Sequence, residues 1–202
     1  TGVQTCALPI SNISYWNGIA ATVTGSQADP FGGTSAALVT ADGATSNHSI
    51  LSVAYTFPLG VTFTESAYFK AGTNNFIQLR TQGAIGGVYT NFNISTGVIG
   101  DTTALASSIT SVGNGWYRCS ITFTPTAAAN SGFQIYVVTS NTAVAAESNT
   151  LTTSYYIFGA QLEIGSTVNT YVPTTSAAVY GTPKLSLSGV ADRKSTRLNS
   201  SH

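Results

Sequence analysis

Val61-Thr62-Phe63-Thr64-Glu65-Ser66-Ala67-Tyr68-Phe69-Lys70 is the stretch on which the fold turns. In an extended chain Val61, Phe63, Ala67 and Phe69 fall on one side and Thr62, Thr64, Ser66, Tyr68 and Lys70 on the other, the period-two pattern of a strand with one buried face. Tyr117 to Thr124 repeats it, with Tyr117, Cys119, Ile121 and Phe123 opposing Arg118, Ser120, Thr122 and Thr124. Further strand windows are Ser14 to Thr24, Ser35 to Thr40, Ser49 to Phe57, Asn75 to Thr81, Gly87 to Asn93, Phe133 to Ser140 and Ser154 to Glu163. No window carries a helical stripe, beyond a single turn expected at Thr126 to Asn130. Breaks fall regularly, at Asp29-Pro30-Phe31-Gly32-Gly33, Pro58-Leu59-Gly60, Ala71-Gly72-Thr73-Asn74, Gly97 and Gly113-Asn114-Gly115. Many short strands at such spacing predict an all-β chain: a two-sheet antiparallel β-sandwich, a jelly roll.

Composition agrees. The 202 residues are 43% hydrophobic, 10% aromatic and only 7% charged, which suits strands joined by polar turns better than a disordered chain. The length suits one domain, expected over residues 12–180. No run approaches the ~20 apolar residues of a membrane span, so membrane insertion is not expected.

The ends stand apart. Residues 1–11 (TGVQTCALPIS) and 192–202 (DRKSTRLNSSH) resemble translated sequencing-adapter read-through: neither continues the flanking strand pattern, and the second concentrates Arg193, Lys194 and Arg197. They are read as a leader and a tail, with residues 181–191 as a linker to a downstream region. Setting the ends aside leaves four basic residues, Lys70, Arg80, Arg118 and Lys184, against six acidic ones. Such a chain has no basic patch for a phosphate backbone, and nucleic acid is not an expected partner. Cys119 is then single, a small strand hydrophobe rather than half of a disulfide or metal framework.

The order of several short blocks carries a resemblance. Trp16 and a Thr-Val strand, Asp29-Pro30-Phe31-Gly32-Gly33-Thr34, Ser66-Ala67-Tyr68-Phe69-Lys70-Ala71, Gly115-Trp116-Tyr117-Arg118-Cys119, and Gly159-Ala160-Gln161-Leu162-Glu163 running to Pro173-Thr174-Thr175 follow one another. This order resembles a domain of bacteriophage tail-fibre and head-spike proteins, itself similar to the jelly-roll carbohydrate-binding modules of secreted glycoside hydrolases. The resemblance covers about residues 12–180. It implies a non-catalytic module facing a bacterial surface glycan, carried as a homotrimer within a larger virion fibre or spike. A structural spacer without sugar binding, and a binding module of a secreted glycoside hydrolase, are the alternatives.

Catalytic constellations are scarce. His48, beside Asn47, reads as a satisfied or solvated loop histidine rather than the base of a nucleophilic triad. Zinc chemistry needs three or four clustered ligands that the chain does not easily gather. Glu65 and Glu163 are the acids that lie in strands, and a glycosidase would hold two carboxylates about 5–9 Å apart. Glu65 falls on the apolar face, where a partnered structural carboxylate or a strand bulge is expected. Asp29, Asp42, Asp101 and Glu147 read as turn residues. No cofactor is expected; a structural calcium would draw on Asp29 and Asp42. Gly83-Ala84-Ile85-Gly86-Gly87 lacks the lysine and strand-to-helix setting of a phosphate cradle.

A sugar site combines flat rings under C–H faces with planar amide, carboxylate or guanidinium groups on the hydroxyls. The faces opposite the inferred core collect Tyr68, Lys70, Gln78, Arg80, Trp116, Arg118, Gln134, Tyr136, Gln161 and Glu163, and these are the candidate ligand-binding residues. Structural roles compete at two of them. Trp116 is placed to cap the sandwich edge, and Arg118 with Glu163 to form a cross-strand pair worth about 0.2–1 kcal/mol.

Overall fold

The computed structural model describes residues 5–7, 16–52 and 54–173. The linker expected at 181–191, the tail at 192–202 and most of the leader lie outside these residues. In chain order the strands are β1 (Thr5–Ala7), β2 (Trp16–Ile19), β3 (Ala21–Gln27), β4 (Ala36–Ala41), β5 (His48–Ser52), β6 (Tyr55–Phe57), β7 (Phe63–Ala71) and β8 (Phe76–Arg80). They continue with β9 (Tyr89–Asn93), β10 (Val98–Thr102), β11 (Ala106–Gly113), β12 (Trp116–Phe123), β13 (Ala129–Ser131), β14 (Gln134–Val137) and β15 (Ser154–Ile164). A first sheet runs β11-β12-β7-β15-β4-β3, with β1 added beside β15; a second runs β10-β9-β8-β14-β5-β2. The ladders are antiparallel. The fold is the expected antiparallel sandwich of jelly-roll class.

Each predicted window contains a strand. Two windows are divided because the chain changes sheet inside them: Ala20 takes a left-handed φ of 47° between β2 in the second sheet and β3 in the first. Four strands, β1, β10, β11 and β13, lie outside the windows. β10 and β11 are edge strands whose residues are largely exposed, so no buried face imposes alternation on them. The turn expected at Thr126 to Asn130 is not helical; Ala129–Ser131 pairs instead with Tyr55–Phe57. Thr5–Ala7 pairs with Glu163–Gln161, so part of the stretch set apart on composition is built into the first sheet.

The core sits between the sheets. Phe63, Ala67 and Phe69 of β7 and Cys119, Ile121 and Phe123 of β12 face Ile77 and Leu79 of β8, Phe92 of β9 and Ile135 of β14. Phe57 bridges Phe63 at 4.9 Å and Phe123 at 5.6 Å between ring centroids. Each such ring contributes about 1.5–3 kcal/mol by leaving water. Burial pushes the Cys119 thiol well above its ordinary range, consistent with an inert hydrophobe.

The opposite face of β7 is not the solvent face that alternation alone implies. Thr64, Ser66 and Tyr68 are buried as well, because β7 is central and its outer side is roofed. Residues 165–172 fold back over it, and Thr64 Oγ1 donates to Gly165 O at 2.8 Å. The second sheet is covered in the same manner. Gln78 Nε2 donates to Asn91 Oδ1 and Val144 O, and Gln78 Oε1 accepts from Ala146 N.

Candidate functional site

On the outer face of the first sheet, β7, β12 and β15 bring six of the predicted residues into register. Tyr68 lies opposite Arg118 and Trp116 opposite Lys70, while Gln161 and Glu163 lie opposite Ser66 and Thr64. A bulge makes this possible. Gly159 and Ala160 together face Ala67 where the register shifts, so Phe158 and Gln161 both point outward although three positions apart. Gly159 adopts φ 59°, and a Cβ there would lie 3.1 Å from the Tyr171 and Tyr68 rings.

Arg118 and Tyr68 form the centre. The guanidinium carbon lies 5.3 Å from the Tyr68 ring centroid, a cation–π arrangement. Nη1 donates to Asn169 O at 2.7 Å and Nη2 to Ser66 Oγ at 3.0 Å, while Nε is buried without a partner. The cross-strand Arg118–Glu163 pair does not form. Glu163 accepts instead from Asn169 N at 3.2 Å and Asn169 Nδ2 at 2.7 Å, and Gln161 Oε1 accepts from Val172 N at 2.9 Å. Both side chains anchor the segment after β15 rather than facing solvent.

Tyr68 is likewise no open platform, being only 5% exposed. Phe31, Phe158 and Tyr171 stand against it at 5.4, 5.8 and 5.9 Å. Burial raises its phenol pKa, with Arg118 pulling the other way. Tyr171 is pushed up to about 12 by burial and then by Tyr68 and Asp29. Both rings therefore keep their protons at neutral pH. Trp116 is also buried, beside Tyr156 at 6.5 Å, in the structural role that competes with ligand binding. Lys70 lays its methylenes near Gly115.

The other four predicted residues are elsewhere. Gln78 and Arg80 on β8, and Gln134 and Tyr136 on β14, belong to the second sheet, so their outward side chains are on the far side of the sandwich. Arg80 stacks over Tyr136 at 5.9 Å, and the Arg80 and Tyr136 polar groups both donate to Gln134 Oε1. Gln78 is fully buried. The single polar face expected from alternation is two faces, because period two assigns a side of a strand and says nothing about which sheet holds it.

A cleft of about 310 Å³ opens on the first face, lined by Tyr68, Arg118, Ser108, Thr110, Val112 and Val168. The last four are additions that the sequence reading missed. Ser108, Thr110 and Val112 alternate along β11 into the Gly113-Asn114-Gly115 turn, whose other arm is β12. That turn was the available signal, since a hairpin into Trp116 requires an incoming strand.

Among the described residues the acids stand apart from one another. Glu65 points into the core and Glu163 away from it, on opposite faces of one sheet, so they cannot flank a glycosidic bond. Among the described residues Glu65 Oε2 is buried without the expected partner, no bulge interrupts the register at Glu65, and burial raises its pKa well above the ordinary value. Asp29 is raised by burial, but the Gly33, Phe31 and Ser35 N–H groups outweigh this and leave it lowered. Asp42 accepts from Ala44 N and lies 3.6 Å from His48 Nδ1. Among the described residues no three His, Cys, Asp or Glu side chains gather as a metal site; Asp29 accepts from Phe31, Gly33 and Ser35 N and Asp42 from Ala44 N, as turn acids do. His48 is buried in β5, its ring nitrogens 2.6 Å from Ala20 O and 3.2 Å from Asn149 O, a satisfied histidine.

No protein-family model matches the sequence, and no curated protein matches it. Among solved structures, the CBM22-1–GH10 modules of endo-1,4-β-D-xylanase 10B from Clostridium thermocellum, complexed with xylohexaose, align at TM-score 0.48 and 13% identity. The alignment covers 85% of this chain and 30% of that one, so the chain spans under a third of its length. The CBM22-2 xylan-binding domain from Paenibacillus barcinonensis aligns at 0.44 and 14% identity, covering 80% and 98%. A mannan-recognising carbohydrate-binding module, TmCBM27, aligns at 0.42 and 13%, covering 82% and 100%. Likeness at this level carries no functional argument.

Proposed function

We propose that this chain is a non-catalytic module that binds a glycan in the cleft between β11, β12 and the segment after β15. The observation that carries the reading is the lining itself. Arg118 stacked on Tyr68 gives planar and hydroxyl donors, Ser108 and Thr110 add hydroxyls, and Val112 and Val168 supply an apolar wall for sugar C–H groups. The cleft is small, so one copy would hold a sugar weakly. Repetition on a homotrimer raises avidity by about 10²–10⁴ without new contacts.

The setting we propose is a bacteriophage tail fibre or head spike, with a bacterial surface glycan as the partner. Its support is the order of sequence blocks from Trp16 to the Gly159–Glu163 run. A structural spacer is the rival reading, favoured by the engagement of Gln161 and Glu163 in holding residues 169–172. A glycan array probed with the full chain separates them. Binding to bacterial polysaccharides that is lost in Arg118→Ala supports the module; a folded chain that binds nothing supports the spacer. Sedimentation equilibrium tests the trimer.

A further inference from the structure

We infer that the glycan taken at this cleft is acidic, and that a uronic-acid carboxylate meets Arg118. The inference rests on the glycan-binding reading above and names its substrate class.

Arg118 is a cation held in place without its own anion. Among the described residues no carboxylate forms an ion pair with it, the one ion pair being His48 with Asp42. Glu163, on the same outer face but beyond β7, accepts from Asn169 instead. The guanidinium's protein partners are a neutral carbonyl and a neutral hydroxyl, Asn169 O and Ser66 Oγ, and Nε is cut off from water without a partner. A guanidinium so placed keeps its charge while losing part of its hydration, which strengthens its attraction for an anion at the remaining N–H groups.

The surroundings suit a carboxylate. Tyr68 lies under the guanidinium plane at 5.3 Å and fixes its orientation. Asn169 and Ser66 tether it from two sides, so little side-chain entropy is lost when an anion docks. The cleft wall beside it presents the Ser108 and Thr110 hydroxyls and the apolar Val112 and Val168. Those groups match the hydroxyls and C–H face of the sugar that carries the carboxylate.

The test varies the ligand before the protein. Titration calorimetry on the unmodified full chain compares polygalacturonate, alginate and hyaluronate with their carboxyl-reduced forms, and with xylan and mannan. Binding of at least one acidic polymer roughly 10- to 150-fold tighter than its reduced form is expected, the range of a charge-assisted hydrogen bond, with loss of the preference in high salt. Arg118→Gln should abolish the preference and Arg118→Lys keep part of it; because Arg118 also holds Asn169 and Ser66, each variant is read by its own acidic-to-reduced affinity ratio below its melting temperature, and a preference retained in Arg118→Gln overturns the assignment. Equal affinity for acidic and reduced polymers, or binding of neutral polymers alone, overturns the acidic assignment and leaves the glycan reading standing. Binding of no polymer overturns both.

Discussion

Arg118 and Glu163 never touch; they grip opposite ends of the same residue. The guanidinium donates to Asn169 O at 2.7 Å, and the carboxylate accepts from Asn169 N at 3.2 Å and Nδ2 at 2.7 Å. Opposite charges on the two strands that flank β7 thus hold the returning segment over the sheet instead of neutralising each other, and the cleft wall at Val168 depends on them.

Glu163→Ala removes the buried carboxylate to which the exposed Asn169 donates through its N and Nδ2. A loss of about 1–3 kcal/mol is expected in urea unfolding. Asn169→Ala should lose a similar amount, and the double variant less than the sum, since both act on one contact. Full additivity would show that the Asn169 bridge contributes nothing.

Phe69→Ala and Phe123→Ala each empty a site in the shared core, where the rings are 0% and 1% exposed. Each should cost about 3–5 kcal/mol. A change below about 0.5 kcal/mol in denaturant unfolding would contradict their placement.

Tyr68 and Tyr136 separate the two faces. Tyr68→Ala should remove glycan binding and also cost stability, because the ring packs on Phe31, Phe158 and Tyr171. Tyr136→Ala, on the other sheet, should leave affinity unchanged. Calorimetry and thermal melting on the same preparations give the comparison, and loss of binding in Tyr136→Ala would move the site to the far face.

Glu65 gives the fold a pH dependence of known sign. Burial holds its folded-state pKa well above the ordinary 4.5, so the folded chain keeps a proton that the unfolded chain releases. Its stabilising share is whole below about pH 4.5 and declines as pH rises through the folded-state value. Glu65→Gln cannot ionise, so it should gain on the parent as pH climbs from about 4 to 8. Parallel stability curves over that range would show that the buried acid is compensated.

β1 offers a test of the N-terminal stretch. Removing residues 1–11 leaves the outer edge of Gln161–Glu163 without its pairing strand. A loss of about 1 kcal/mol, or roughly 2–4 °C in Tm, is expected. An unchanged melt would show that the three-residue pairing carries no weight.

Local chemistry was enough for the strands with one buried face. Phe63, Ala67, Phe69, Cys119, Ile121 and Phe123 alternate because water is excluded from one side only, and that pattern survives in sequence. The edge strand β11 left no such pattern, since most of its residues stay exposed; with it went Ser108, Thr110 and Val112, half the lining of the cleft. Alternation also placed Tyr68 and Tyr136 alike on outward faces. Only the order of strands puts Tyr68 on the sheet roofed by residues 165–172 and Tyr136 on the other. Strand order, the Gly159–Ala160 bulge and the turn of Glu163 toward Asn169 are set by contacts between residues far apart in the chain. A side chain's face is a property of its own strand, whereas its neighbours across the sheet and its cover from solvent belong to the assembled sandwich.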